Sequence, residues 1–433
     1  MTDPIAVSLL LGSFFLLLIL GTNIAFSMAI AAIGTMIYLD LPLEIAFQRI
    51  VSGLSSFSLL AVPFFILAGD IMSEGGITDR LLRLARAVVG WMRGGLAMVN
   101  IMASMFFGGI SGSAIADMSS LGNILIPAMH KGGYDKDFAT TVTMASSVQG
   151  MLIPPSHNMI IYAMAIGGGV SVGALFMAGL VPGVVLGVAL MGYSYYISRK
   201  RNYPVDSNFT ASELMTSFVG AIWGMMTIFI ILSGVLTGVF TATESASVAV
   251  LWAVICALFI YRATDLKGIW RALGSTVVPL AQIMIIIGAA GAFGWVIAFL
   301  RVPDYLANSV FDFIGSKYAF LLAVNVLLLG LGLLASMTSI IVIMTPIIIP
   351  FLDKFEISYV HFGVILILNL GIGLITPPVG GVLFVGSAIS KISIERLSVA
   401  MLPFYLVMIV VLLLVTFIPA ISLWLPRLMG LGV

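Results

Sequence analysis

Charge is scarce in this sequence. Its 19 Lys and Arg and 18 Asp and Glu make up 9% of 433 residues, where a soluble domain carries about 25%. With 61% hydrophobic residues and a mean hydropathy of +1.20, the chain holds more apolar surface than one core can bury. That excludes a soluble globular fold and makes the lipid bilayer its solvent. The apolar runs do not alternate with polar residues, which argues against a β-barrel. A net charge of +1 gives no sign of nucleic-acid binding. A single cysteine, Cys256, excludes a disulfide framework and reads as a small buried or lipid-facing residue. No GxxxxGK[ST] loop is present, which argues against ATP hydrolysis within this chain. No His/Cys cluster has metal-ligand spacing. Ser156 and His157 are neighbours in sequence, so on a helix they point apart, and no strand–turn–helix elbow frames them. An intramembrane hydrolase therefore finds little support. The first apolar run, from about Ile5, lacks a basic leader and reads as a span rather than a cleaved signal.

What is present is a repeat. A shift of 223 residues lays Pro127 on Pro350, Lys131 on Lys354, Gly150 on Gly373, Ser113 on Ser336, and Pro154-Pro155 on Pro377-Pro378. The same shift lays the amphipathic stretch 42–50 on 265–273. Each half then reads alike. The first has spans near 5–21, 24–39 and 58–73, an amphipathic helix 78–92 expected to lie in the membrane interface, a segment 94–129 broken in its middle, a span 136–168 broken at a Pro-Pro pair, and a last span near 173–197. The second has spans near 218–239, 243–261 and 276–299, an amphipathic stretch near 304–316, a broken segment 318–352, a broken span 358–390 and a last span near 398–425.

The arms of each broken segment are expected at half to three quarters of the roughly 20 residues a crossing needs, and the tip GGISGSA is rich in Gly and Ser. Irregular backbone at membrane depth survives only where protein buries it or it lines a cavity, so each segment reads as a re-entrant hairpin. Each half then crosses five times, and an odd number inverts the second half relative to the first. With the N- and C-termini on the outside, 14 of the 19 Lys and Arg fall on the inner side, in accord with the positive-inside rule. The predicted fold is an all-α polytopic membrane protein of inverted repeats, each with one hairpin and one broken helix.

Inverted repeats with discontinuous helices mark secondary transporters, with substrate and coupling ions held near the bilayer midplane. A broken helix offers carbonyls at one end, suited to a hard cation, and N–H groups at the other, suited to a carboxylate. Hydroxyls at Ser111, Ser113, Ser336 and Thr338 add uncharged oxygens, and proline frees carbonyls upstream of the breaks. A lone serine in a membrane helix usually bonds its own backbone; paired S-x-S and S-x-T tips at matching positions favour a site. Asp117 reads either as a functional intramembrane carboxylate or as a partner of the helix dipole. Glu244 reads as a cap, Asp70 as solvated, and His130 and His361 as interfacial.

The stretches GGISGSAIADMSSLGNILIPAMHKGGYDKDFATTVT (108–143), IPPSHNMIIYA (153–163) and LFMAGLVPGVVLG (175–187) resemble the large membrane subunit of the tripartite ATP-independent periplasmic (TRAP) transporters, over nearly the whole chain. That family is similar in fold to the divalent-anion/sodium symporters, which work as elevators. The resemblance implies sodium-coupled uptake of an organic acid across the bacterial inner membrane, a separate small membrane (Q) subunit, and a soluble periplasmic binding protein that delivers substrate. It implies at least two sodium sites. The first uses Ser111, Gly112, Ser113, Ser147, Gly150 and Pro154; the second uses Ser336, Thr338, Gly373, Thr376 and Pro377. It implies that Ser111, Ser156 and Ser336 face substrate. Many members carry an aspartate in the second tip where this chain has Ser336, which weakens that transfer. The Ser156-His157-Asn158 triplet has no twin, since 379–381 are Val-Gly-Gly, so His157 and Asn158 join the substrate side; the triplet leans toward sialic acid or a related sugar acid over C4-dicarboxylates. A moving transport domain is expected from 94–168 and 317–390, and a scaffold from 1–93, 169–316 and 391–433. The rival from another class is a passive channel, against which stand breaks in both halves.

Overall fold

The structure, a computed structural model, describes residues 3–55, 57–206, 208–302 and 315–432. Among these residues it is all-helical, with one isolated backbone bridge between Arg93 and Val205. Both hairpins and both broken spans are present. The first hairpin is Gly95–Ser111 and Ala114–Lys131, and the first broken span is Lys136–Gln149 and His157–Ala165. The second hairpin is Lys317–Gly332 and Met337–Lys354, and the second broken span is Tyr359–Gly373 and Gly381–Ser390. The hairpin arms are 17, 18, 16 and 18 residues, longer than the sequence suggested, because their helices run past the apolar stretch to the charged ends at Lys131 and Lys317. They are still re-entrant. A Cβ on Gly112 at the first tip would sit 2.8 Å from the Pro155 carbonyl oxygen, so the tip meets the break of the neighbouring span. That break follows a helix of 14 residues, about 21 Å deep at 1.5 Å per residue, well inside a hydrocarbon core of about 30 Å.

The two ends of the molecule are coherent. Arg396 pairs with Asp137, Arg201 with Asp135, Arg86 with Asp206 and Arg271 with Glu74. All eight of these residues lie at the end that the charge rule makes the inner one. At the opposite end the Lys317 ammonium donates to the Glu356 carbonyl, and Tyr162 donates to the Tyr359 carbonyl.

Several expectations are corrected. The stretch 265–273 and the span 276–299 form one helix, Leu266–Phe299, of 34 residues, capped by Asp265. The last span ends at Phe417, and a separate helix, Ala420–Leu428, follows. The amphipathic helix Ile77–Val89 turns its apolar face onto protein, with Ile77, Leu81 and Leu84 buried against the first hairpin and helix Ala211–Leu236. Gly224 makes room for it: a Cβ there would overlap the Ile77 side chain. Asp70 is half-buried and accepts bonds from Ser275 and Thr276 (3.0 and 2.8 Å), tying helix Ala61–Glu74 to Leu266–Phe299. His361, expected at the interface, is buried and bonded to Ser422 (2.7 Å), while His130 is exposed. Glu244 is a cap, in a full capping box with Thr241. Cys256 is buried. The amphipathic stretch expected near 304–316 lies outside the described residues apart from its last two.

Helices Val172–Lys200 and Ile394–Phe417, assigned to the scaffold from sequence, pack against the broken spans and against each other. The reason is a stripe of small residues, Gly179, Gly183 and Gly187, four apart on one helix face, which lets backbones approach closely. A Cβ at Gly179 would lie 2.4 Å from the Leu152 carbonyl oxygen. Ala420–Leu428 packs on Val172–Lys200, while helices Pro4–Ile19, Ile24–Tyr38, Glu44–Leu54, Ala61–Glu74, Ala211–Leu236, Ala242–Ile255 and Leu266–Phe299 pack against one another, Ala211–Leu236 also on Ile77–Val89. Part of their contact forms a second core around Phe14, Met28, Met36 and Phe293.

Candidate substrate and cation site

Each broken span stops because the Pro-Pro pair has no N–H to continue the ladder. Both Pro-Pro bonds are cis. In the first span the last turn closes with the N–H groups of Leu152 and Ile153 both on the Gln149 carbonyl (3.0 and 3.2 Å). The carbonyls of Gly150 and Met151, which would have bonded residues 154 and 155, receive no ladder donor from those prolines. In the second span the Gly373 carbonyl accepts from Thr376 N–H (3.1 Å) and the Leu374 carbonyl from Val382 N–H (3.0 Å). The tips close on the breaks through glycine contacts, Gly108 on Gly150 and Gly332 on Gly373, where a Cβ on either member would meet the partner's backbone within 3.3 Å. The second tip is also stitched by Val379 N–H to the Leu333 carbonyl (3.3 Å).

Between the tips lies a cavity of about 190 Å³. Ser113 of the first tip, Ser336, Met337 and Thr338 of the second, His157 and Asn158 of the first break, and Gln282 of helix Leu266–Phe299 line it. No lysine, arginine or carboxylate is among its lining residues. Three helices begin at its wall: Ala114–Lys131 capped by Ser113, Met337–Lys354 capped by Ser336, and His157–Ala165, whose Ser156 makes no capping bond. Their N-termini present N–H groups and positive dipole ends. The cavity is thus electropositive without a cationic side chain, a setting suited to a small anion.

The predicted residues divide into those on the cavity wall and those behind it. Ser336, Thr338, His157, Asn158 and Ser113 line it. Ser111 and Ser156 do not. Ser111 is half-buried, and its hydroxyl takes the Ser113 N–H (3.4 Å). Ser156 is fully buried beneath Gly112, with no partner for its hydroxyl. Ser113 and Ser336 also serve as helix caps, accepting from Ala116 and Ser339 N–H groups. Ser147 and Thr376 donate to the carbonyls of Met144 and Ile372 (2.8 and 2.7 Å), the bland role of hydroxyls in membrane helices. Their donors are spent but their lone pairs remain, so they still fit a cation as oxygen ligands. Gly112 at φ +59°, Gly150 and Pro154 cluster at the first tip, and Gly373 and Pro377 at the second break. These all-oxygen sets of hydroxyls and carbonyls match what a hard cation takes.

Sequence reading missed Gln282, an exposed amide on a helix taken as pure scaffold. It also missed a buried polar ladder in each half. Asn100 bonds Thr143 (2.6 Å) and Ser146 (3.2 Å), and Ser104 bonds Ser146 (3.0 Å). Asn325 bonds Asn369 (2.8 Å), which stands at the position of Ser146 shifted by 223. One buried polar position shared by the halves, Ser146 and Asn369, was the signal available; Asn100 and Asn325 do not fall on each other under the shift.

A family profile described as the DctM component of tripartite ATP-independent periplasmic transporters matches residues 11–421. The isethionate TRAP transporter permease protein DctMQ of Oleidesulfovibrio alaskensis is 37% identical over 427 residues, 98% of this chain and 66% of that protein. The sialic acid TRAP transporter large permease protein SiaM of Vibrio cholerae is 37% identical over 418 residues, 96% of this chain and 97% of that one. Among solved structures, the YdaH transporter of Alcanivorax borkumensis, described as having an unusual topology, superposes with a TM-score of 0.61 at 14% identity. It covers 90% of each chain, a likeness of fold.

Proposed function

The chain belongs to the family of DctM components of tripartite ATP-independent periplasmic transporters, and on that premise we propose that it takes up an organic acid, coupled to sodium, by an elevator movement. The observation that carries this reading is the cavity itself: three helix N-termini and no cationic side chain, framed by oxygen-rich tips from both halves. The N-termini would hold a carboxylate or sulfonate, and His157, Asn158 and Gln282 would orient it. Ser111, Gly112, Ser113, Ser147, Gly150 and Pro154 would hold one sodium ion; Ser336, Thr338, Gly373, Thr376 and Pro377 would hold another. Bound sodium supplies positive charge beside the anion. The moving body comprises the hairpins, the broken spans and helices Val172–Lys200 and Ile394–Phe417; the other long helices form the scaffold. A separate small membrane subunit docks on the scaffold, and a periplasmic binding protein delivers the acid in the bacterial inner membrane, with both termini of this chain on the periplasmic side.

Relatives at the same 37% identity are named for cargoes as different as isethionate and sialic acid, so overall identity does not choose the acid. Size gives some guidance. Pockets that bury drug-sized ligands run to roughly 300–1,000 Å³. At about 190 Å³, this cavity favours a small organic acid over a sugar acid of sialic acid's size unless the tips open. The test is uptake into proteoliposomes holding both membrane subunits, with the cognate binding protein and an inward sodium gradient. Uptake requiring all three is expected, and His157→Ala with Asn158→Ala should raise the half-saturating concentration of loaded binding protein by about tenfold, as for loss of one to two polar contacts. Flux without sodium or binding protein would support the channel alternative.

A further inference from the structure

One buried group is left over from this scheme. Asp117 lies in the second arm of the first hairpin with 0% of its surface exposed, and neither carboxylate oxygen has a hydrogen-bond partner. It does not cap its helix: that role belongs to Ser113, and the Asp117 N–H bonds the Ser113 carbonyl as in any helix (2.9 Å). Beside it is Ser104, whose hydroxyl hydrogen goes to Ser146 (3.0 Å). Were that hydroxyl to turn, one carboxylate oxygen would still lack a donor. On the other side a Cβ on Gly150 would lie 3.6 Å from Asp117 Oδ2, so the carboxylate adjoins the break that carries the first cation set. Nearby Ser147 has spent its own hydrogen on Met144. The surroundings therefore offer oxygens and, at most, the single hydroxyl of Ser104 as a donor. Buried this way, the carboxyl either holds a proton or, when ionised, sits against a bound positive charge, because the helix dipole alone returns far less than the cost of burying the charge; the break beside it supplies oxygens for such a cation. The twin position, Ile340, is apolar and buried.

Resting on the sodium reading above, we propose that Asp117 is the charged oxygen of the cation site in the first half. The two sites are then chemically unequal. One includes a carboxylate and one is built of neutral oxygens, and sodium occupies the first at lower concentration. The experiment is a thermal-unfolding titration of the purified complex with sodium chloride, with choline chloride as the ionic-strength control. Wild type is expected to stabilise in two phases. Asp117→Asn should shift the low-concentration phase upward by about tenfold or more, the scale for losing a charged partner, and leave the other phase in place. Asp117→Glu should retain it in part, and Thr338→Ala should move only the high-concentration phase. A single wild-type phase overturns the proposal without any variant, as does an Asp117→Asn titration that overlays wild type. No sodium response in wild type at all would instead overturn the sodium reading itself.

Discussion

At the scale of single residues, the site is built from backbone shape as much as from side-chain chemistry. Gly112 holds φ +59° and presses on the Pro155 carbonyl and Ser156. Gly112→Ala adds a left-handed cost of about 1–2 kcal/mol and pushes the tip off the break. We expect a protein that still inserts and binds the small subunit but has lost most uptake; unimpaired uptake in the proteoliposome assay would show that the tip geometry is not needed. The residues of this site were only partly visible in the sequence. Tip hydroxyls and prolines announced themselves by repeating. Whether a hydroxyl faces the cavity, as Ser113 does, or lies behind it, as Ser111 and Ser156 do, depends on the rotation of each helix at its cap, which spacing leaves open. Gln282 escaped because a lone amide in an apolar run carries no pattern.

At the scale of elements, the inner end is fastened by local clusters whose chemistry is accessible. Between helix Val172–Lys200 and the first broken span, the Tyr203 hydroxyl and the Arg201 guanidinium both donate to Asp135 (2.7 and 2.5 Å). Tyr203, then Arg201, hold the Asp135 carboxyl below its usual range. A lowered acid contributes stability above the unfolded value, near 3.9, and loses it as pH falls through the lowered one. Asp135 and Arg201 are exposed although Tyr203 is buried, so the contribution is small. Tyr203→Phe should narrow the gap in thermal stability between neutral pH and pH values below the aspartate range, relative to wild type. An unchanged gap would mean that the cluster does not tie these elements. Element type and order were readable because broken spans and hairpins carry prolines and glycines at matching positions. Lengths were not: the arms reach 16 to 18 residues, since polar end residues continue a helix that hydropathy alone would stop. The 34-residue helix Leu266–Phe299 replaces two expected pieces, with Pro279 accommodated within it.

At the scale of the whole molecule, the inverted repeat was legible from one constant offset, but the packing of the last span of each half was not. Sequence order suggested that the last span of each half belongs with the first ones. Glycines 179, 183 and 187 instead draw Val172–Lys200 onto the first break, and a contact between surfaces distant in sequence has no signature beyond that small-residue stripe. The proposed movement slides the first hairpin along helix Ala61–Glu74, where Ser73 and Ser120 face each other with oxygens 3.4 Å apart and a Cβ at Gly69 would come within 3.3 Å of Ile110 and Ser111 backbone. Cysteines at Ser73 and Ser120, in a Cys256→Ser background, are close enough to bridge. The decisive measurement is sodium-driven uptake in proteoliposomes before and after oxidation of that pair. The disulfide is expected to abolish uptake and reductant to restore it, with each single cysteine unaffected; uptake continuing at full rate through the closed bridge would contradict a carrier in which the first hairpin moves past helix Ala61–Glu74.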